Sequence, residues 1–268
     1  MSDFTIFYAW QSDLNPSQNR YLIRDAAKAA VKRIIAAAEI EDSPRLDSDT
    51  QNVAGTPEIA ATIFGKIDVC GAFLCDVSFV GSSSAPDPKQ KKLLPNPNVL
   101  LELGYAAARI GWDRIICVMN TAFGSPEDLP FDLRHRRWPV TYQLPDGASG
   151  DGWKEQAELL ISRIETALKV ALQARHAATL DILGRLDVHC LRWMHELGNA
   201  DYFQAPERKT MGEVVANQSF DGALPRLLAL KVLRCDVSAD GKLYAYHWTY
   251  HGKLVLRRLG FRAAPAAA

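Results

Sequence analysis

The chain predicts an α/β domain built on a parallel sheet, followed by a second, smaller α+β domain. Short apolar runs such as Phe4-Thr5-Ile6-Phe7-Tyr8 and Ile115-Ile116-Cys117-Val118 alternate with helical stretches through residues 1–174, the pattern of strands joined by crossover helices. Near the C-terminus, Asp240-Gly241 separates two alternating runs, a strong hairpin signal. A length of 268 residues, 48% apolar and 23% charged, suits one large or two modest globular domains.

Taken in order, a strand at about 4–10 ends on Trp10-Gln11-Ser12-Asp13. Leu14-Asn15-Pro16-Ser17 supplies turn and cap residues, and an Ala-rich helix runs from about Gln18 to Ala38. Asp42-Ser43-Pro44 breaks the chain, and residues 45–50 form a short polar strand or loop. Thr56 as N-cap and Pro57 at the first helical position start a helix that buries Ile59, Ile63 and Ile67. A core strand, Val69 to Cys75, ends on Asp76, and Gly81 to Leu94 reads as a mobile polar insertion. The Glu102 helix, a strand from Asp113 to Val118, a loop through Pro130-Phe131-Asp132, a strand Val140-Thr141-Tyr142 and a helix from Trp153 to about Ala174 complete the unit.

A second unit, 175–262, opens with an amphipathic helix from about His176 that Gly198-Asn199 ends. A short helix at 209–215, another from Phe220 to Leu230, a hairpin of 232–237 and 243–249, and a last helix from Gly252 to Leu259 follow. Residues 263–268 read as a disordered tail. The order helix, helix, helix, hairpin, helix resembles a winged helix-turn-helix domain, and Tyr244-Ala245-Tyr246-His247-Trp248-Thr249-Tyr250-His251-Gly252 resembles the wing-to-last-helix passage of that fold. That resemblance implies a DNA or protein partner contacted by Arg226, Lys231 and Lys242. Many winged helices mediate association instead, and the Leu- and Ala-rich 221–230 helix favours partner docking or self-association slightly.

Composition narrows the function. Residues 1–174 carry 18 Lys and Arg against 22 Asp and Glu, while 175–268 carry 13 against 9, an asymmetry suggestive only if the second unit binds nucleic acid. No run of eighteen apolar residues and no signal segment is present, so no membrane partner is expected. Five cysteines without metal-type spacing predict a cytoplasmic, reduced protein and no metal site. Dinucleotide-fold glycine, phosphate-loop and zinc-protease motifs are all missing from the sequence. Asp47 and Asp49, two apart in a polar loop, read as solvated carboxylates.

Glu102 is the residue of most interest: a carboxylate beside an apolar stripe of Val99, Leu100, Leu103, Ala106 and Ala107. Charges are rarely buried unless paired or used. The alternative is an exposed first-turn acid complementing the helix dipole. Ligands in parallel sheets bind outside the carboxyl ends of the strands; Trp10, Ser12, Asp76 and Asn120 fall there, with the turn preceding Glu102.

Tyr8-Ala9-Trp10-Gln11-Ser12-Asp13, the stretch from Asp47 to Gly55-Thr56-Pro57-Glu58-Ile59, the 68–78 strand and Asn98-Val99-Leu100-Leu101-Glu102-Leu103-Gly104 together resemble a bacterial TIR or TIR-like domain of the NAD+ hydrolase type over residues 1 to about 145. The resemblance implies a flavodoxin-like fold, cleavage of the nicotinamide–ribose bond with Glu102 as the catalytic residue, and assembly into a homo-oligomer. Nucleoside deoxyribosyltransferases share a similar fold and a similar Glu-Leu-Gly-Tyr-Ala element, so the substrate stays open between NAD+ and a related nucleotide. A non-catalytic signalling or adaptor module is the reading from a different class.

The chemistry agrees with one carboxylate. Nicotinamide leaves a cationic nitrogen as a neutral molecule, so no proton is needed; the transition state asks for negative charge beside the developing oxocarbenium ion. Covalent attack on C1′ is the other option. Tyr8 or Trp10 would stack on a base, Ser12, Asp76 and Asn98 would contact substrate, and Arg20 or Arg134, Arg136 and Arg137 would meet a diphosphate. Each has a plainer alternative in packing, turn formation or solvation. NAD+ enters as substrate, with no cofactor.

Overall fold

The computed structural model describes residues 3–37, 43–48, 58–84, 87, 91–136, 138–200, 202–206, 218–238, 240–241 and 243–262. The chain divides into two compact units, with the boundary between Gln173 and Ala174.

In the first unit, β1 (Asp3–Ala9), β2 (Ser43–Asp47), β3 (Ala72–Asp76), β6 (Ile115–Asn120) and β7 (Val140–Tyr142) form one parallel sheet in the order β2-β1-β3-β6-β7, compatible with a flavodoxin-like core. Strand side chains alternate between its faces. Phe4, Ile6, Tyr8, Leu74 and Val118 pack with α1 (Arg20–Ala36) and the first half of α5 (Gly150–Arg185). Phe7, Ala9, Phe73, Cys75 and Met119 pack with α2 (Ile59–Val69) and α3 (Pro97–Arg109). On that second face Cys75 and Cys117 stand in register on neighbouring strands, with their sulfurs 3.7 Å apart.

Several boundaries differ from the sequence reading. Val69 ends α2 and the strand starts at Ala72. Asp113 and Arg114 lie in a 3-10 turn before β6, and the expected Pro130-Phe131-Asp132 loop leads into a short helix, α4 (Phe131–Arg134). Ile59, expected inside, is 63% exposed at the first helical position, because the buried face begins a turn later. The expected caps Thr56 and Pro57 lie outside the described residues, as do Asp49, most of the 47–57 segment and part of the insertion. The insertion's ends are ordered: β4 (Phe79–Ser82) and β5 (Leu93–Pro95) pair antiparallel. Gly124, at φ 148°, closes over them, and a Cβ there would stand 2.6 Å from the Phe79 ring and 2.7 Å from Leu93, which only glycine tolerates.

The largest departure is α5. The sequence reading placed one helix at 153–174 and another from His176, whereas the helix runs unbroken from Gly150 to Arg185. Ala171-Leu172-Gln173-Ala174-Arg175-His176-Ala177-Ala178 contains strong helix formers and nothing that stops a helix. The break comes at Asp187, whose carboxylate accepts the Cys190 N–H at 2.8 Å and caps α6 (Val188–Leu197).

The second unit continues with β8 (Tyr202–Pro206), α7 (Gln218–Ala229), β9 (Leu233–Val237), β10 (Leu243–Trp248) and α8 (Tyr250–Arg258). Its three strands form an antiparallel sheet ordered β8-β10-β9. Cys190, Met194, Leu227, Val232, Trp248 and Val255 make its core. The expected helix at 209–215 and the tail lie outside the described residues. No helix among the described residues is long and apolar enough to cross a membrane.

Candidate functional site

A cleft of about 480 Å³ opens at the carboxyl end of β1. Trp10, Gln11 and Ser12 line one side, Ile63 and Phe64 of α2 a second, and Asn96, Asn98, Leu101 and Glu102 of the α3 region a third. Four of the expected substrate contacts, Tyr8, Trp10, Ser12 and Asn98, thus line one cavity with Glu102.

Helix α3 starts where its sequence dictates. Asn96 caps it, its side-chain oxygen accepting from the N–H groups of Asn98 at 2.8 Å and Val99 at 3.1 Å, and Pro97 takes the first position. Val99, Leu103 and Ala106 face the core, so Glu102 beside them is turned to the cleft. Lying sixth in the helix, Glu102 is past the first turn, and the dipole-complement reading falls away. Among the described residues no hydrogen bond or ion pair reaches its carboxylate. Burial pushes its pKa up to about 7, the signature of a charge denied water without compensation. Tyr105 donates to Asp68 at 3.0 Å, Arg109 pairs with the same carboxylate at 2.7 Å, and Tyr105 stacks on Phe64, fixing α3 to α2.

Tyr8 also borders the cleft, but little of it is open to a ligand. It is 1% exposed; alternation turns its ring to the α1 face, opposite Glu102, where its hydroxyl donates to the Arg20 carbonyl at 3.3 Å. Asp76 is fully buried and does not line the cleft. It accepts the Gln11 side-chain N–H at 3.0 Å and the Ser78 N–H at 3.0 Å, and burial raises its pKa above the usual carboxylate range despite those bonds. Asn120 is likewise buried, bonding Ala122, Leu144 and Asn19. Both support the loops instead of facing a ligand.

Trp10 keeps its place, with the Arg20 guanidinium 3.2 Å from its ring centroid, a close cation–π stack. The other diphosphate candidates stand elsewhere: Arg134 over Phe131 and Arg136 over Trp112, with Arg137 outside the described residues. Asp47 pairs with Lys66 at 2.9 Å. Among the described residues no cluster of three or more His, Cys, Asp or Glu is placed to hold a metal ion.

Sequence reasoning missed Gln11, Asp13 and Asn96. Gln11 accepts the N–H groups of Asp13 at 2.7 Å and Leu14 at 3.0 Å, shaping the turn that carries Ser12. The Asn96-Pro97 dipeptide was a legible cap signal; a Gln at a strand end carries none.

In the second unit, Arg226 forms an ion pair with Asp187 and ties α7 to the cap of α6. Lys231 follows α7 in a left-handed conformation, φ 55°, outside the helix expected to present it. Lys242 lies outside the described residues.

The assembled site offers a partly dry carboxylate, without a partner among the described residues, in a cavity that an indole and polar amide edges also line. No protein-family model matches the chain, and no match is found among curated proteins.

Proposed function

We propose that the first unit is a TIR-like, flavodoxin-like domain that hydrolyses NAD+ at the nicotinamide–ribose bond, with Glu102 as the catalytic residue. The observation that carries this reading is the half-buried Glu102 carboxylate, which has no hydrogen-bond or ion-pair partner among the described residues, in a cleft that Trp10 also lines. Its negative charge suits an oxocarbenium ion at C1′. The C1′–nitrogen bond breaks with its electrons going to the pyridinium ring, nicotinamide departs neutral, and water adds to C1′ with loss of a proton to solvent. Trp10 supplies a face for the nicotinamide, and Ser12 and Asn98 polar contacts to the ribose.

The second unit is read as a winged helix that docks a nucleic acid or protein partner and gates the first, within a homo-oligomer acting as a prokaryotic defence effector in the cytoplasm. Its helix, strand, helix, hairpin and helix order supports that reading. The test is nicotinamide release from NAD+ at high protein concentration, with and without DNA, for the wild type and Glu102→Gln. Release is expected from the wild type and at least 100-fold less from the variant; equal release from both ends the proposal.

One observation favours a second reading. A carboxyl with a pKa of about 7 is half protonated at neutrality and can serve as a general acid, which a departing purine or pyrimidine needs and nicotinamide does not. A nucleoside N-glycosidase would therefore lose activity as pH rises through about 7, whereas NAD+ cleavage by ionised Glu102 would gain it.

A further inference from the structure

We propose that Asp13 and Asn96 form a positioning tie that holds the Glu102 helix against the Trp10 side of the cleft; the inference rests on the reading of Glu102 as the catalytic residue. Asn96 donates its side-chain N–H to an Asp13 carboxylate oxygen at 2.6 Å, a charge-assisted bond between residues 83 apart in the chain. The remaining oxygen of the same amide caps α3 through Asn98 and Val99. One side chain thus does two separable things: it starts the helix, and it fastens that helix to the β1–α1 turn.

The other end of the tie is anchored as well. Asp13 is held by its own N–H on the Gln11 side chain, and Gln11 is held by buried Asp76 at the end of β3. A continuous line of hydrogen bonds therefore runs from the sheet, through the turn carrying Ser12, to the N-terminus of α3. Glu102 stands less than two helical turns beyond that end, so a shift at Asn96 moves the carboxylate with it. Misplacement by about 1 Å costs a factor near 100 in rate.

Substitutions can separate capping from tying. Asn96→Ser keeps a capping oxygen and adds no charge, but is too short to reach Asp13. Asn96→Asp keeps the cap and sets two carboxylates face to face. The exchange D13N/N96D restores a charge-assisted bond with donor and acceptor reversed. In nicotinamide release from NAD+, the two single variants at position 96 are expected to lose about 10- to 100-fold in kcat with KM changed less than about threefold, and the exchange to return within about threefold of wild type.

A substrate-free readout runs beside the kinetics: the Glu102 carboxyl carbon followed by NMR across pH. Its midpoint is expected near 7 in the wild type, lower by roughly one pH unit or more in Asn96→Ser as water enters the cleft, and restored in the exchange variant. If the wild type releases no nicotinamide while the titrations follow this pattern, the activity reading fails and the tie stands. A midpoint unmoved in Asn96→Ser, single variants as fast as wild type, or an exchange variant as impaired as Asn96→Asp overturns the tie.

Discussion

Gln11 and Asp76 meet at 3.0 Å with neither group reaching solvent, although 65 residues separate them. The contact couples the end of β3 to the turn after β1. Asp76→Ala leaves the Gln11 amide and the Ser78 N–H without their acceptor, at a cost of about 1–3 kcal/mol. Urea unfolding is expected to report that loss, and Asp76→Asn, which keeps one acceptor, a smaller one.

Glu102 opposes stability where it is ionised. Its folded pKa, about 7, lies above the ordinary 4.5, so the neutral carboxyl's contribution is fully present below about pH 4.5 and is lost as pH rises through about 7. Glu102→Gln is expected to stabilise the protein at pH 8 by about 1–2 kcal/mol, a figure reduced for the group's partial exposure. Thermal melts at pH 4 and pH 8 check this, the two proteins converging at the lower pH.

Trp10 is the better aromatic candidate for base stacking, since Tyr8, which also borders the cleft, is 1% exposed. Removing one base–aromatic stack costs about 1–3 kcal/mol. Trp10→Leu is therefore expected to raise KM for NAD+ by about 5-fold or more, with kcat less affected. A variant with unchanged KM would place the base elsewhere.

Asp187 caps α6 and pairs with Arg226. The Cys190 N–H, followed by Arg226, lowers its pKa to about 2, so its contribution is present above about pH 3.8 and is lost as pH falls through about 2. Asp187→Ala is expected to cost about 1 kcal/mol at pH 7, and Arg226→Ala less, because that pair is largely exposed. Denaturant melts at pH 7 and pH 2.5 measure both, the variants approaching wild type in acid.

How much of this was legible in the sequence depended on whether the signal was local. The alternating strands, the Asp240-Gly241 hairpin and the Glu102 helix follow from spacing and turn chemistry, and the structure contains them. The run from Ala171 to Ala178 shows the limit: the sequence reading divides it between two helices, where uniform helix propensity makes one. Strand ends were equally ambiguous. Trp10 and Asp76 both lie at a carboxyl end, yet one lines the cleft and the other is sealed beneath it, a difference set by Gln11 in a neighbouring loop. The fastening of Asn96 by Asp13 joins distant segments, and no periodicity announces such a contact.

Cys75 and Cys117 face one another on adjacent strands behind Glu102. Burial, then the neighbouring thiol, holds the Cys75 proton well beyond the ordinary thiol range, so the nucleophilic thiolate is scarce. A thiol-reactive dye added to the native protein is expected to label half-buried Cys235 before Cys75.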